Sequence, residues 1–387
     1  MSRWDETPNT LADAARPPFK ALILTTQTGG GHWAVADALC TAFALGYGDR
    51  FQAAAIDLWA EHTAWPLNQL PKTYRPMVTS TPRLWGWTFY KSQARRVVRL
   101  GMRAAWPFAQ RGVREALLAH APDVIVAVHP LLQEIPLRIL AELDWAVPFV
   151  TVVTDLATAH PAWFQKQAAL CLAPTDEVRR LGLQAGLRPD QVRVTGLPIR
   201  PAFARVTGSK ADLRRALGLA PDRPTALVIG GADGVGDLAA VVRAAATALA
   251  NPAGPADAAA PAALGQLVVV CGRNRPLERE LRAAPWPAPV TVLGFVSDLW
   301  TWMAACDCVI TKAGPTTIAE ALALGLPLLL SGRVPGQEEG NVAYVVTGGA
   351  GRYADTPEGV AATLARWFGP DRAERTALSE HARRMGR

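Results

Sequence analysis

The 387-residue chain is longer than one hydrophobic core usually supports, and half of it is hydrophobic, so a largely disordered protein is excluded and two domains are expected. Its five cysteines include no CxxC pair and no His/Cys cluster with ligand spacing, which points away from a disulfide scaffold or a zinc module and toward reduced core thiols in a cytosolic protein. The net charge of +7 is local: ten Lys/Arg and no Asp/Glu fall between Pro66 and Arg114, which leaves the rest of the chain at −3.

In chain order, MSRWDETPNT carries two acids and no apolar run, so no signal peptide is read there. FKALILTT has strand character and ends at the triplet Gly29-Gly30-Gly31, after which WAVADALCTAFAL has helical periodicity. FQAAAIDL is a second strand. The basic stretch follows, read as short helical pieces broken by prolines. DVIVAV is a buried strand ending at His129-Pro130, and VPFVTVVTD another, ending at Asp155. QAALCLAPTDEVRRLGLQAG is a strand and then a helix opening at Thr175, with Asp176 and Glu177 where the helix dipole favours acids.

A second series begins after Arg223. TALVIGG runs into the turn GGADGVGD and the helix LAAVVRAAATALA. Residues 251–265 are Pro/Ala/Gly-rich and read as an exposed loop. QLVVVCG, VTVLGF, CDCVITKAG and LPLLLS are strands, and PTTIAEALALG is a helix. The apolar run Ala321 to Leu330 is too short for a bilayer, which needs roughly 20 residues. This alternation predicts an α/β fold of two Rossmann-like domains facing across a cleft, residues 1–205 and 206–387, with the last helix free to pack back on the first domain.

The basic stretch contains Arg95, Arg96, Arg99 and Arg103, interleaved with Trp85, Trp87 and Trp106. Cations mixed with tryptophan suit an anionic membrane surface, and the absence of a nucleic-acid motif points away from nucleic acid; a solvated basic helix over ordinary core aromatics is the plainer reading. The two glycine turns each follow the first strand of their half, and such a loop opening a helix offers N–H groups to phosphate. Neither is the dinucleotide fingerprint or a P-loop, which argues against hydride chemistry and a Walker-type ATPase.

ILTTQTGGGHWAVADAL, VTVVTDL, VTGLPIRPAF, KAGPTTIAEAL and PGQEEGN, in this order, resemble the monogalactosyldiacylglycerol synthase and processive diacylglycerol glucosyltransferase group of glycosyltransferase family 28. The resemblance implies the GT-B fold. It also implies an inverting enzyme that moves glucose or galactose from a UDP-hexose to the hydroxyl of diacylglycerol, peripherally at the cytoplasmic face of the cell membrane. Glu320 resembles the acid that accepts from the ribose hydroxyls, as an acceptor-only carboxylate can. Phe295 and Val296 resemble the segment that reads uracil; Gly314, Thr316 and Thr317 would meet the diphosphate with Gly30, Gly31, Gly231 and Ala232. Gln337, Glu338, Glu339 and Asn341 resemble the residues that hold the sugar. His32 is the expected general base, since an imidazole with a pKa near 6.5 accepts a proton at neutral pH; Asp155 is the alternative base or the residue that orients His32. No DxD-type pair is present, so no metal or other cofactor is expected. An enzyme like the cell-wall transferase that adds N-acetylglucosamine to the muramyl lipid intermediate, a UDP-sugar epimerase and a non-catalytic nucleotide-sugar-binding protein remain as alternatives.

Overall fold

A computed structural model describes residues 17–28, 30–230, 237–250, 263–370 and 372–386. The first sheet contains β1 (Phe19–Thr25), β2 (Phe51–Asp57), β3 (Val124–Ala127), β4 (Phe149–Val152), β5 (Leu170–Ala173) and β6 (Val192–Val194), in the order β2-β1-β3-β4-β5-β6. The second contains β7 (Thr225–Ile229), β8 (Gln266–Val270), β9 (Val290–Leu293), β10 (Cys308–Lys312), β11 (Leu328–Gly332) and β12 (Gly351–Tyr353), in the order β12-β11-β10-β7-β8-β9. All pairings are parallel, with Ile23 opposite Val126 and Val228 opposite Ile310. The central strands are buried on both faces, as their continuous apolar sequences require. The two α/β lobes expected from the alternation are therefore present.

Strand order reverses between β1 and β3 in one sheet and between β7 and β10 in the other. Ligands of open α/β sheets bind at such switch points, beyond the carboxyl ends of the strands. In sequence, β1, β3, β7 and β10 are followed by the glycine triplet, His129-Pro130, GGADGVGD and Ala313-Gly314-Pro315. Each of these carries a signal in the sequence, the last within KAGPTTIAEAL. The turn at 231–236, with Gly231 and Ala232, and most of the Pro/Ala-rich loop, 251–262, lie outside the described residues.

Two elements differ from expectation. The region read as short helical pieces ends in one helix, Arg95–His120, that runs through Pro107. An interior proline costs about 3 kcal/mol, but Ala105, Ala109, Val113, Ala116 and Leu117 form one continuous buried stripe against the first sheet's core. Packing along more than three turns outweighs one missing hydrogen bond. The last helix, Ala373–Met385, packs on the second lobe rather than the first: Ser379 Oγ donates to Gly325 O at 2.7 Å, and a Cβ at Gly325 or Gly348 would meet Arg383 or Met385. Gly325 sits at φ +64°, and that close approach is what brings the helix back.

Candidate active site

The helix Gly30–Tyr47 begins inside the glycine triplet, so Gly30 and Gly31 lie in its first turn. The loop before it is pinned by buried Asp57, which accepts from Gln27 N at 3.0 Å and from Ala60 N at 2.9 Å. Across the cleft, Gly314 is the N-cap of the helix Pro315–Ala323. The two helix starts meet: a Cβ on Gly31 would lie 2.9 Å from Thr316 Oγ1. A side chain at Gly31 would hold the lobes apart. Thr316 Oγ1 is buried with no partner among the described residues, and two positive helix ends converge on this point.

His32 stands one residue further on. Its Nδ1 lies 2.8 Å from Val128 O and 3.1 Å from Thr154 Oγ1. A carbonyl only accepts, so Nδ1 carries the proton and Nε2 is left with its lone pair. Burial lowers the pKa to about 4, against which the Val128 bond works. The ring of His129 stands edge-on at 4.6 Å. His129 Nδ1 accepts from Leu131 N at 3.3 Å, so its Nε2–H donates to Thr28 Oγ1 at 2.9 Å. Burial holds it well below the usual histidine range, helped by His32 and His160.

Asp155 is buried close by, but it is not the group that orients His32: that falls to Val128 and to Thr154, its neighbour in sequence. Its Oδ2 instead accepts from Trp163 Nε1 at 2.6 Å, and Trp163 lies 6.5 Å from the His32 ring. Desolvation raises the Asp155 pKa to about 6, and Glu338 on the other lobe adds to the rise.

Glu320, 4% exposed, faces Arg200 across 3.7 Å. Desolvation raises its pKa to about 7, opposed by the Arg200 charge. Arg200, which sequence reading passed over inside GLPIRP, stacks at 5.1 Å on Trp300 and donates to Ser297 O at 3.3 Å. It thus ties the segment joining the lobes to the loop after β9, where Phe295 is largely exposed beneath Arg273 and Val296 is half-buried on the core.

The Pro335–Asn341 segment divides into two kinds of residue. Glu338 and Asn341, expected to hold sugar, are buried braces. Glu338 Oε2 accepts from Val334 N at 2.8 Å and Oε1 accepts from Lys312 Nζ; Asn341 Nδ2 donates to Ala313 O at 2.9 Å. Gln337 and Glu339 point toward the first lobe and accept from Tyr74 OH at 3.2 Å and Tyr90 OH at 2.5 Å. Lys312 was also missed, although it ends β10 beside Gly314, where a cation faces the cleft.

The Trp-rich region divides in the same way. Trp85 packs edge-on against Tyr74 at 5.1 Å, and Trp106 lies on the first core under Arg138 at 3.7 Å, so neither faces outward as expected. Trp87 is 61% exposed and joins Trp65, Leu70, Leu84, Val97 and Leu100 as exposed apolar side chains. Arg96, Arg99 and Arg103 are exposed on the helix that also exposes Val97 and Leu100; the side chain of Arg95 lies outside the described atoms.

Known proteins share this layout. Among solved structures, MurG of Acinetobacter baumannii superposes with a TM-score of 0.58 at 13% identity over 96% of both chains. The UDP co-structure of MnaA from S. aureus gives 0.58 at 14%, over 95% of this chain and 93% of that one. At such identities they establish the fold, GT-B. Residues 32–199 match the family described as Monogalactosyldiacylglycerol (MGDG) synthase, and residues 225–382 match the Glycosyltransferase family 28 C-terminal domain. The chain is 44% identical over 372 residues to monogalactosyldiacylglycerol synthase, chloroplastic, of Spinacia oleracea, which covers 96% of this chain and 70% of that protein. It is 42% identical over 372 residues to monogalactosyldiacylglycerol synthase 1, chloroplastic, of Arabidopsis thaliana, covering 96% and 68%. The molecule is a family 28 glycosyltransferase, and within that class the chain belongs to the monogalactosyldiacylglycerol synthase family. The muramyl transferase and epimerase alternatives share the fold alone. The relatives' chloroplastic location overturns the expected placement at the cytoplasmic face of a cell membrane; a basic, Trp-rich surface carries nothing that distinguishes one anionic membrane from another.

Proposed function

We propose that the protein transfers galactose from UDP-galactose to the free hydroxyl of diacylglycerol, with inversion to a β-galactoside, at a membrane surface. The observation that carries this reading is the meeting of two helix N-termini at Gly31 and Thr316, with His32 on one side and Glu320 on the other. The converging N–H groups, Gly30, Gly314, Thr317 and the Thr316 hydroxyl, which has no partner among the described residues, suit a diphosphate; Gly231 and Ala232, which follow β7 in sequence, are assigned to it as well. Glu320 accepts from the ribose hydroxyls, the backbone at Phe295 and Val296 faces uracil, and Gln337 and Glu339 hold the hexose.

The acceptor hydroxyl attacks the anomeric carbon and its proton passes to His32 Nε2 as the bond to the UDP oxygen breaks. The Nδ1–H bond to Val128 fixes the tautomer that leaves Nε2 basic. A dianionic leaving group beside the ring favours the imidazolium, so donor binding strengthens a base that is weak in the free protein. The helix ends stabilise the charge that develops on the leaving UDP. His32 is assigned as base in preference to Asp155, whose carboxylate is engaged by Trp163. A panel of UDP-sugars against a panel of lipid alcohols, read by mass spectrometry, tests the reading; it predicts hexosyl-diacylglycerol from UDP-galactose, and hydrolysis or epimerisation without glycolipid would contradict it.

The exposed Trp87 and the exposed arginines of the following helix seat the enzyme peripherally on an anionic bilayer, in a plastid by the location of its relatives. Each cation near such a surface contributes about 1 kcal/mol, so Arg96→Ala/Arg99→Ala/Arg103→Ala is expected to weaken binding to anionic vesicles roughly 100-fold at low salt, and less at high salt. Flotation assays check this; unchanged binding would contradict the assignment.

A further inference from the structure

The helix Pro82–Ser92 belongs to the first lobe but carries contacts in three directions. Outward it presents Leu84 and Trp87 to solvent. At its end, His160 Nδ1 accepts from Ala162 N at 3.2 Å, so His160 Nε2–H donates to Ser92 Oγ at 3.2 Å, and Phe89 lies 5.7 Å from the same imidazole. This ties the helix to the loop that holds Asp155 and Trp163. Its third side meets the loop of the second lobe. Gly86 is buried against Pro335, where an added Cβ would lie 3.1 Å from the proline Cβ. Gly336, at φ +78°, is covered by Phe89 at 3.0 Å and Tyr90 at 3.5 Å from its own missing Cβ. Tyr90 OH donates to Glu339, and Tyr74 OH, from the preceding helix Leu70–Ser80, donates to Gln337.

Two glycines without side chains at one junction, one in a left-handed conformation, are what such close seating requires. Resting on the galactosyltransferase reading above, we propose that the Pro82–Ser92 helix positions the hexose-binding loop, with Tyr90 and Gly86 as positioning residues, so that the sugar half of the donor site is complete only when this first-lobe helix is seated on it. The contacts described for the helix include none to Glu320, Phe295 or Thr316, on which the uridine and diphosphate half is built. Because the same helix exposes Trp87 to the bilayer, seating on the membrane and binding of the hexose are linked, and linkage is reciprocal.

Titration of UDP and of UDP-galactose onto wild type, Tyr90→Phe, Gly86→Ala and Gly86→Val, with donor kinetics on diacylglycerol vesicles, tests this. Tyr90→Phe removes one hydrogen bond to a carboxylate and is expected to raise the Kd and KM for UDP-galactose about threefold to tenfold, with kcat and the Kd for UDP within about twofold. Gly86→Val displaces the loop further and Gly86→Ala falls between. Anionic vesicles are expected to tighten UDP-galactose binding in wild type and not in Gly86→Val. Unchanged UDP-galactose affinity in Tyr90→Phe and Gly86→Ala, or equal losses of UDP and UDP-galactose affinity, would overturn the proposal. A wild type that shows these affinity differences yet makes no galactolipid would refute the functional reading and leave the positioning intact.

Discussion

His32→Ala is expected to lower the rate of galactosyl transfer by about 10²- to 10⁴-fold while leaving UDP affinity within about twofold, as rapid-quench turnover and calorimetry would show. The size follows from what the imidazole does. An alcohol attacking an acetal carbon must lose its proton, and among the residues at the two helix starts His32 Nε2 is the nitrogen left basic by its own second nitrogen's bond to Val128. UDP affinity is spared because the contacts assigned to UDP are made by Glu320, the loop after β9 and the backbone and hydroxyl groups at the two helix starts, not by the imidazole. The environment also sets the pH response. With its pKa at about 4 in the free protein, His32 is neutral from pH 5 upward and gives kcat/KM no acid limb near neutrality. Its folded pKa lies below the unfolded value of 6.5, so the stability it contributes is present above pH 6.5 and is lost as pH falls toward 4. Asp155→Asn is the control, since a second base at Asp155 would show the larger loss there instead.

Glu320→Gln is expected to weaken UDP binding by about 10- to 100-fold at pH 8, because a charged acceptor contributes more to a hydroxyl hydrogen bond than a neutral amide does. The loss should shrink with acidity. Burial raises the Glu320 pKa to about 7, so in wild type the carboxylate that receives the ribose is present above that pH and is protonated below it. Wild-type affinity should therefore fall through about pH 7 toward that of the variant, which lacks this titration and shares only that of the UDP phosphate. The folding balance has the opposite sign. The native carboxyl holds its proton at higher pH than the unfolded one, so ionising Glu320 costs stability as pH rises from 4.5 through about 7. A buried acid kept at a cost to folding is what a ligand-binding role predicts. Titration calorimetry from pH 5.5 to 8.5 on both proteins checks the sign and the midpoint.

The fold was legible because parallel strands buried on both faces are short apolar runs, and each was followed by a turn or helix start with its own signal. Thr175 is a case: it caps the Asp176–Gln184 helix by accepting from Val178 N, as its neighbours suggested. What escaped reading depended on contacts distant in sequence. Pro107 argued locally for a break that an apolar stripe on a neighbouring sheet overrides. β12 is three residues long and has pattern only as the edge partner of β11. Arg200 is one charge in a loop and acquires meaning from Glu320, far along the chain. The group that orients His32 is a backbone carbonyl, which no side chain announces. The aromatics of residues 65–108 were legible as a group but not one by one: Trp87 faces outward while Trp85 and Trp106 turn inward, because the same short helices cover a core on one side and meet the second lobe on another.

The anomeric configuration of the glycolipid made from UDP-galactose and diacylglycerol, read by proton NMR, tests the central claim most directly. A β-linked galactose is predicted, since one in-line attack by a hydroxyl deprotonated at His32 displaces UDP from the opposite face. An α-linked product would require a different geometry in the cleft and would contradict it.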